Sequence, residues 1–181
     1  MNIKTRWIEF LYMVATGTKR GRTLLTPVGA IIFGLFTTLF VVSALASDKW
    51  LGLPKTIPMP ISVYIATPIL MVGTFVTGWS IIHFLKVKGT PVPVNPPPRL
   101  VTTGPYAYTR NPMLTGVFLL LFGIGVMVGS ISLTFIFTPL FILVNAWELT
   151  AIEEPELVRR LGEEYSAYRD STPMFIPKIS K

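Results

Sequence analysis

An all-α, polytopic membrane fold follows from three observations: long stretches without charge, a mean hydropathy of +0.59, and basic residues gathered in alternate connections between those stretches. The 181 residues are 51% apolar and only 14% charged, which is too apolar for an ordinary soluble domain. The expected architecture is about four transmembrane helices including a C-terminal helical hairpin, with an N-terminal interfacial helix and a C-terminal cytosolic helical cap.

Each element has its own pattern. Residues 1–16 place Trp7, Phe10, Leu11 and Val14 on one helical face, with Lys4, Arg6 and Glu9 elsewhere, as an interfacial helix requires. Thr23 to Ser47 carries no charge and is long enough for one span. Ala44-Leu45-Ala46 inside it has the form of a signal-peptide cleavage site, but the length of the run favours an uncleaved helix. Thr56 to Leu85 has no Asp, Glu, Lys or Arg and a single histidine, His83; a second helix is expected to begin near Pro60 and bend around Pro68. Asn111 to Trp147 is 37 residues without a charge. As one helix it would run about 55 Å, against a hydrocarbon core of roughly 30 Å. Gly123, Gly125, Gly129, Ser130 and Ser132 offer a reversal, so a hairpin of Met113–Val128 and Ile131–Trp147 is expected.

Charge sets the orientation. The segments before the first span, between the second and third, and after the fourth hold 5, 4 and 5 Lys or Arg, whereas the loop from Asp48 to Lys55 holds only Lys49 and Lys55. Both termini are therefore expected on the cytoplasmic side. This distribution accounts for the net charge of +7 without nucleic acid as a partner. With no cysteine and one histidine, disulfides, thiolate nucleophiles, cysteine-bound metals and histidine-rich metal sites are excluded, and no metal is expected.

The chain divides at residue 85. Residues 1–85 hold the interfacial helix and two spans; residues 86–181 hold the hairpin, its flanks and the C-terminal helix. In the second part, prolines at 91, 93, 96, 97 and 98 forbid helix and favour a stiff, extended segment. From Leu100 the character changes to glycine, tyrosine and an Arg110-Asn111-Pro112 turn, with Asn111 as cap and Pro112 in the first helical turn. A helix start of this kind offers free N–H groups and partial positive charge to a carboxylate. After the hairpin, Glu148, Glu153, Glu154 and Glu156 cluster. They read either as a solvated helix start or as one wall of a site for a cationic cofactor.

The paired segments Leu100-Val-Thr-Thr-Gly-Pro-Tyr-Ala-Tyr-Thr-Arg-Asn-Pro-Met and Glu153-Glu-Pro-Glu-Leu-x5-Gly-Glu-Glu-Tyr-x2-Tyr resemble the isoprenylcysteine carboxyl methyltransferase and phospholipid methyltransferase superfamily of integral-membrane enzymes. Lys88-Gly-Thr-Pro is similar to the approach segment of bacterial and archaeal members. The resemblance covers roughly residues 83–177; the first two spans match in placement only.

The resemblance implies S-adenosylmethionine as cofactor, bound at the cytoplasmic membrane surface. Pro98, Arg99, Leu100, Val101, Gly104, Tyr106 and Arg110 would line its pocket. Asn111, Pro112, Met113 and Leu114 would add the hairpin's first turn, with Asn111 standing where many members have histidine. Glu153 would hold a polar group of the cofactor with support from Glu154. His83, Glu148 and Tyr106 are the candidates to assist proton removal from an acceptor. The prenylcysteine enzymes carry an arginine four residues before the cofactor glutamate, where this chain has Leu149; that departure weakens a carboxyl-methylating role and leaves amines, thiols and lipid headgroups open. The expected partners are a lipidic or small hydrophobic substrate and membrane lipids, with no oligomeric state implied. Two alternatives share the architecture: a sterol-reductase-like enzyme using NADPH, and a non-catalytic membrane scaffold.

Overall fold

The computed structural model describes residues 3–87, 89–90, 92–97 and 99–177. Lys88, Pro91 and Pro98, which the sequence places in the approach to the site, lie outside the described residues. The described residues form helices α1 (Ile3–Thr16), α2 (Lys19–Leu51), α3 (Ile61–Lys86), α4 (Pro112–Val128), α5 (Thr138–Glu148), α6 (Glu154–Leu161) and α7 (Glu163–Ser171), with a short 3₁₀ turn at Gly104–Ala107. Three helical stretches are long and apolar enough to cross a membrane: Lys19–Leu51, Ile61–Lys86 and Leu133–Leu161, with Pro112–Val128 a shorter apolar helix. The protein is an all-helical, polytopic integral membrane protein.

Small residues let α3 and α4 approach closely. A Cβ on Gly73 would stand 3.0 Å from the Gly116 carbonyl oxygen, and one on Gly116 only 2.2 Å from Thr77 Oγ1. Such contact is the main source of helix association where lipid already satisfies apolar surface. On the other side of α4, Phe118, Leu121 and Phe141 form the core, with Phe36 and Phe40 of α2 at 5.3 and 5.1 Å from Phe141.

The hairpin reverses where the glycine and serine residues suggest. Gly129 caps α4 at φ 73°, a conformation that favours glycine, and Ser130 N–H returns to the Gly125 carbonyl at 2.9 Å. Asp48, from the end of α2, accepts from the Ser130 hydroxyl and, at 2.9 Å, from the Ser132 N–H. It thereby caps the start of the next helix from a different element.

That next helix runs on past two prolines. Pro139 and Pro155 each follow a π turn, Leu133–Phe137 and Leu149–Glu153 respectively. Proline lacks the N–H for the ladder and its ring crowds the carbonyl four residues back; the wider i→i+5 turn accommodates both without ending the helix.

Three local expectations change. The proline-rich segment is folded back rather than extended: Thr90 N–H donates to the Asn95 carbonyl at 3.0 Å, and Asn95 N–H to the Val92 carbonyl at 2.9 Å. Asn111 stands at the N-cap of α4 without a side-chain cap; its backbone N–H donates to the Met174 carbonyl at 3.1 Å, so the C-terminal segment takes the capping residue. On α1, Leu11 does not share the outer face with Trp7 and Phe10 but is buried with Ala15, because α1 packs on α6 and on the Leu149–Glu153 turn.

Candidate functional site

The connection from α3 to α4 and the end of the long helix meet around a cavity of about 440 Å³. Its floor comes from the bundle: Gly29 and Phe33 of α2, Thr77 and Phe84 of α3, and Met113 and Leu114 in the first turn of α4. Arg99, Leu100 and Val101 form one side; Glu148, Leu149 and Glu153 form the other; Tyr106, Tyr165 and Tyr168 add aromatic surface. The folded-back loop reaches α2 here, since a Cβ on Gly29 would lie 2.6 Å from Val92.

The π turn shapes the acidic wall. In a regular α-helix residues five apart stand about 140° apart around the axis, whereas an i→i+5 turn closes such residues toward one side. Glu148 and Glu153, which flank and end the turn, both face the cavity.

The four glutamates of this wall divide by their partners. Glu154 pairs with Arg110 at 2.6 Å, both side chains about 11% exposed. Arg110 also donates to the carbonyls of Arg169 and Thr172, each at 2.7 Å, so one guanidinium joins the approach to α4, the start of α6 and the end of α7. Glu156 pairs with Arg160 at 2.8 Å. Among the described residues Glu148 and Glu153 make no ion pair or side-chain hydrogen bond. Both carboxyl groups line the cavity without a partner among the described residues.

Tyr106 has a different character from the one its place among candidate bases implies. Its ring packs edge-on against Phe84 at 4.7 Å, and its hydroxyl is buried without a hydrogen-bond partner among the described residues. Burial pushes this hydroxyl well above the ordinary phenol range, with Tyr168 and Glu153 adding to the effect. A phenol so held stays protonated near neutral pH and has a hydrogen bond to give rather than a proton to accept. Burial also raises the hydroxyls of Tyr165 and Tyr168, and Tyr168 donates to the Tyr106 carbonyl at 2.7 Å.

The cavity brings together Arg99, Leu100, Val101, Tyr106, Arg110, Asn111, Met113, Leu114, Glu148, Glu153 and Glu154. It does not include His83, Gly104 or Pro112. His83 Nε2 lies 3.0 Å from Thr103 Oγ1, and its ring covers Gly104, whose φ is 62° and where a Cβ would meet the ring at 2.7 Å. Pro112 is fully buried within the first turn of α4. Pro98 lies outside the described residues. Sequence reasoning missed Tyr165 and Tyr168, although their three-residue spacing in the second motif places both on one side of α7. It also missed Asn145, an amide in a charge-free span whose Nδ2 donates to the Phe141 carbonyl at 2.7 Å. The α2 wall at Gly29 has no local signature; only the fold reveals it.

A helical membrane bundle with an acidic, aromatic cavity at one end is the class that fold and site define. A family model described as phospholipid methyltransferase matches residues 61–164, and the chain belongs to that family. It is 36% identical over 81 residues to a nickel-cobalt-cadmium resistance protein of Alcaligenes xylosoxydans xylosoxydans, covering 45% of this chain and 37% of that protein. It is 35% identical over 80 residues to a protein-S-isoprenylcysteine O-methyltransferase of Schizosaccharomyces pombe, covering 44% of this chain and 34% of that protein. The matches thus span about a third of each curated relative's length. No solved structure matches.

Proposed function

We propose that the protein transfers a methyl group from S-adenosylmethionine to a lipidic or small hydrophobic acceptor at the cytoplasmic membrane surface, with both termini on that side. The observation that carries this reading is the pair of carboxylates, Glu148 and Glu153, that face a largely apolar and aromatic cavity and have no ion-pair partner among the described residues.

The residues present suit such a cofactor. A volume of about 440 Å³ falls within the range of roughly 300–1,000 Å³ found for small-molecule sites. Glu153 would receive an amino or ribose hydroxyl group, and the buried Tyr106 hydroxyl has a hydrogen bond to give. The first turn of α4 leaves N–H groups at Met113 and Leu114 without intrahelical acceptors, suited to a carboxylate. When bound, the cofactor supplies an electrophilic methyl group, so the protein's task is alignment in a water-poor pocket. The apolar walls from Gly29, Phe33 and Leu114 would take the acceptor's hydrophobic part. Glu148 would remove a proton from an amine or thiol, since it lines the cavity, whereas His83 sits outside the lining and burial keeps the Tyr106 hydroxyl protonated. Leu149 lines the cavity with an apolar surface and offers no cation to a carboxylate acceptor.

Calorimetric titration of the detergent-solubilised protein with S-adenosylmethionine and with NADPH tests the reading. Saturable binding of the first alone supports it. Binding of NADPH instead would assign a reductase, and binding of neither would assign a scaffold. A labelled-methyl assay on membrane lipid extract then identifies the acceptor.

A further inference from the structure

We infer that the outer face of α1 is a docking surface for an anionic phospholipid headgroup layer. The inference concerns a surface outside the cavity and stands independently of methyl transfer. Helix α1 uses two faces. Leu11 and Ala15 are buried against α6 and the Leu149–Glu153 turn, and Arg159 stacks over the Tyr12 ring at 4.2 Å, so the helix has a fixed seat on the protein. The opposite arc is apolar and open: Ile3, Trp7, Phe10 and Met13 are 72%, 52%, 42% and 63% exposed. Trp7 and Phe10 meet edge to face at 5.7 Å and, with Ile3 and Arg6, line a shallow cleft on this arc.

Two observations identify the occupant. Lys4 and Arg6 stand in the first turn of the helix and Lys19 and Arg20 follow it, all exposed, whereas Glu9 is the only acidic residue of α1 and is half-buried. The surface is therefore basic as well as apolar, which fits negatively charged headgroups over neutral ones. Only Gly17 and Thr18 separate α1 from α2, whose apolar length crosses the membrane, so α1 lies within reach of the headgroup layer by covalent necessity. An exposed indole and phenyl ring beside an arginine match that layer, where an apolar body and a polar neighbour are both satisfied.

The test uses the full chain in nanodiscs of phosphatidylcholine with or without phosphatidylglycerol. A variant with Trp50→Phe, Trp79→Phe and Trp147→Phe leaves Trp7 as the sole indole. The expected result is quenching of Trp7 by lipid brominated near the headgroup end of its chains, stronger when phosphatidylglycerol is present. Adding Lys4→Glu and Arg6→Glu should remove the phosphatidylglycerol-dependent increase, since each basic residue near an anionic surface is worth about fivefold in the docked-to-undocked ratio. Equal quenching in both lipids overturns the anionic assignment, and no quenching in either overturns docking altogether. A shielded but unquenched Trp7 in a particle whose scattering mass corresponds to two chains would assign the face to a second copy instead. If the triple variant does not fold, the difference in quenching between the native protein and Trp7→Phe gives the same readout.

Discussion

The two ends of the bundle treat their carboxylates in opposite ways. At one end Asp48 accepts from the Ser130 hydroxyl and the Ser132 N–H, and the chain reversal depends on it. At the other end Glu148 and Glu153 face a cavity without partners among the described residues, while their neighbours Glu154 and Glu156 hold arginines. A half-buried carboxylate without compensation costs stability. Asp48, Glu154 and Glu156 are thus satisfied within the fold, and under the proposed function a bound cofactor would complete Glu148 and Glu153.

The strongest way to break this division is to convert a paired acid into an open one. Arg110→Ala leaves Glu154 buried without its cation and releases the carbonyls of Arg169 and Thr172. Removing one partner of a buried pair costs about 3–5 kcal/mol, so the thermal midpoint should drop sharply in detergent. The double variant Arg110→Met, Glu154→Met should recover much of that loss. If the single and double variants are equally unstable, the pair is not what holds these segments together.

Asp48→Ala should act on stability alone. Loss of hydrogen bonds to a charged acceptor costs about 1.5–3 kcal/mol each, and the start of the helix after Ser130 loses its cap. Cofactor affinity, measured by calorimetry on the folded fraction, should be unchanged, because the residue stands at the far end of the bundle. A parallel loss of cofactor binding would show that the two ends are not independent.

Glu153→Gln should behave in reverse. Its shape is kept and no partner among the described residues is orphaned, so the thermal midpoint should stay the same or rise. S-adenosylmethionine affinity should fall about 10–100-fold, the worth of one charge-assisted hydrogen bond at roughly 1.5–3 kcal/mol. Unchanged affinity would remove Glu153 from the proposed site and leave Glu148 as the remaining carboxylate to test.

Much of this contrast was legible in the sequence. Charge-free runs gave the spans, Gly129 and Ser130 gave the reversal, and the clustering of Glu148, Glu153 and Glu154 marked the acidic wall. What the sequence did not reveal depends on tertiary partners. Glu154 and Glu153 are adjacent and chemically identical, and only the approach of Arg110 separates the tie from the open group. Pro155 reads as a breaker, yet a π turn carries the helix through it. His83 stands at the right height on α3, but the positive φ of Gly104 opens a space that its ring fills, away from the cavity lining. The prolines after residue 90 suggest stiffness, and the bond from Thr90 to Asn95 turns that stiffness into a fold-back against α2.

The smallest effect belongs to the aromatic side of the cavity, where a proton rather than a charge completes the contact. Tyr168 donates its hydroxyl hydrogen to the Tyr106 carbonyl, and burial raises its pKa above the ordinary value near 10. Tyr168→Phe removes one neutral hydrogen bond and should cost about 0.5–1.5 kcal/mol near neutral pH. The pH dependence is the sharper readout. Because the folded state holds this proton more tightly than the unfolded chain does, its contribution is complete below the unfolded value of about 10 and is lost as pH rises beyond it. Unfolding free energy, followed from neutral pH into the alkaline range, should therefore decline less steeply in Tyr168→Phe than in the native protein. Tyr106 and Tyr165, shifted the same way, would account for the decline that remains. An alkaline limb of identical slope in the two proteins would mean that Tyr168 ionises as readily folded as unfolded, and would remove the phenol-to-carbonyl bond from the contacts that set the shape of the cavity.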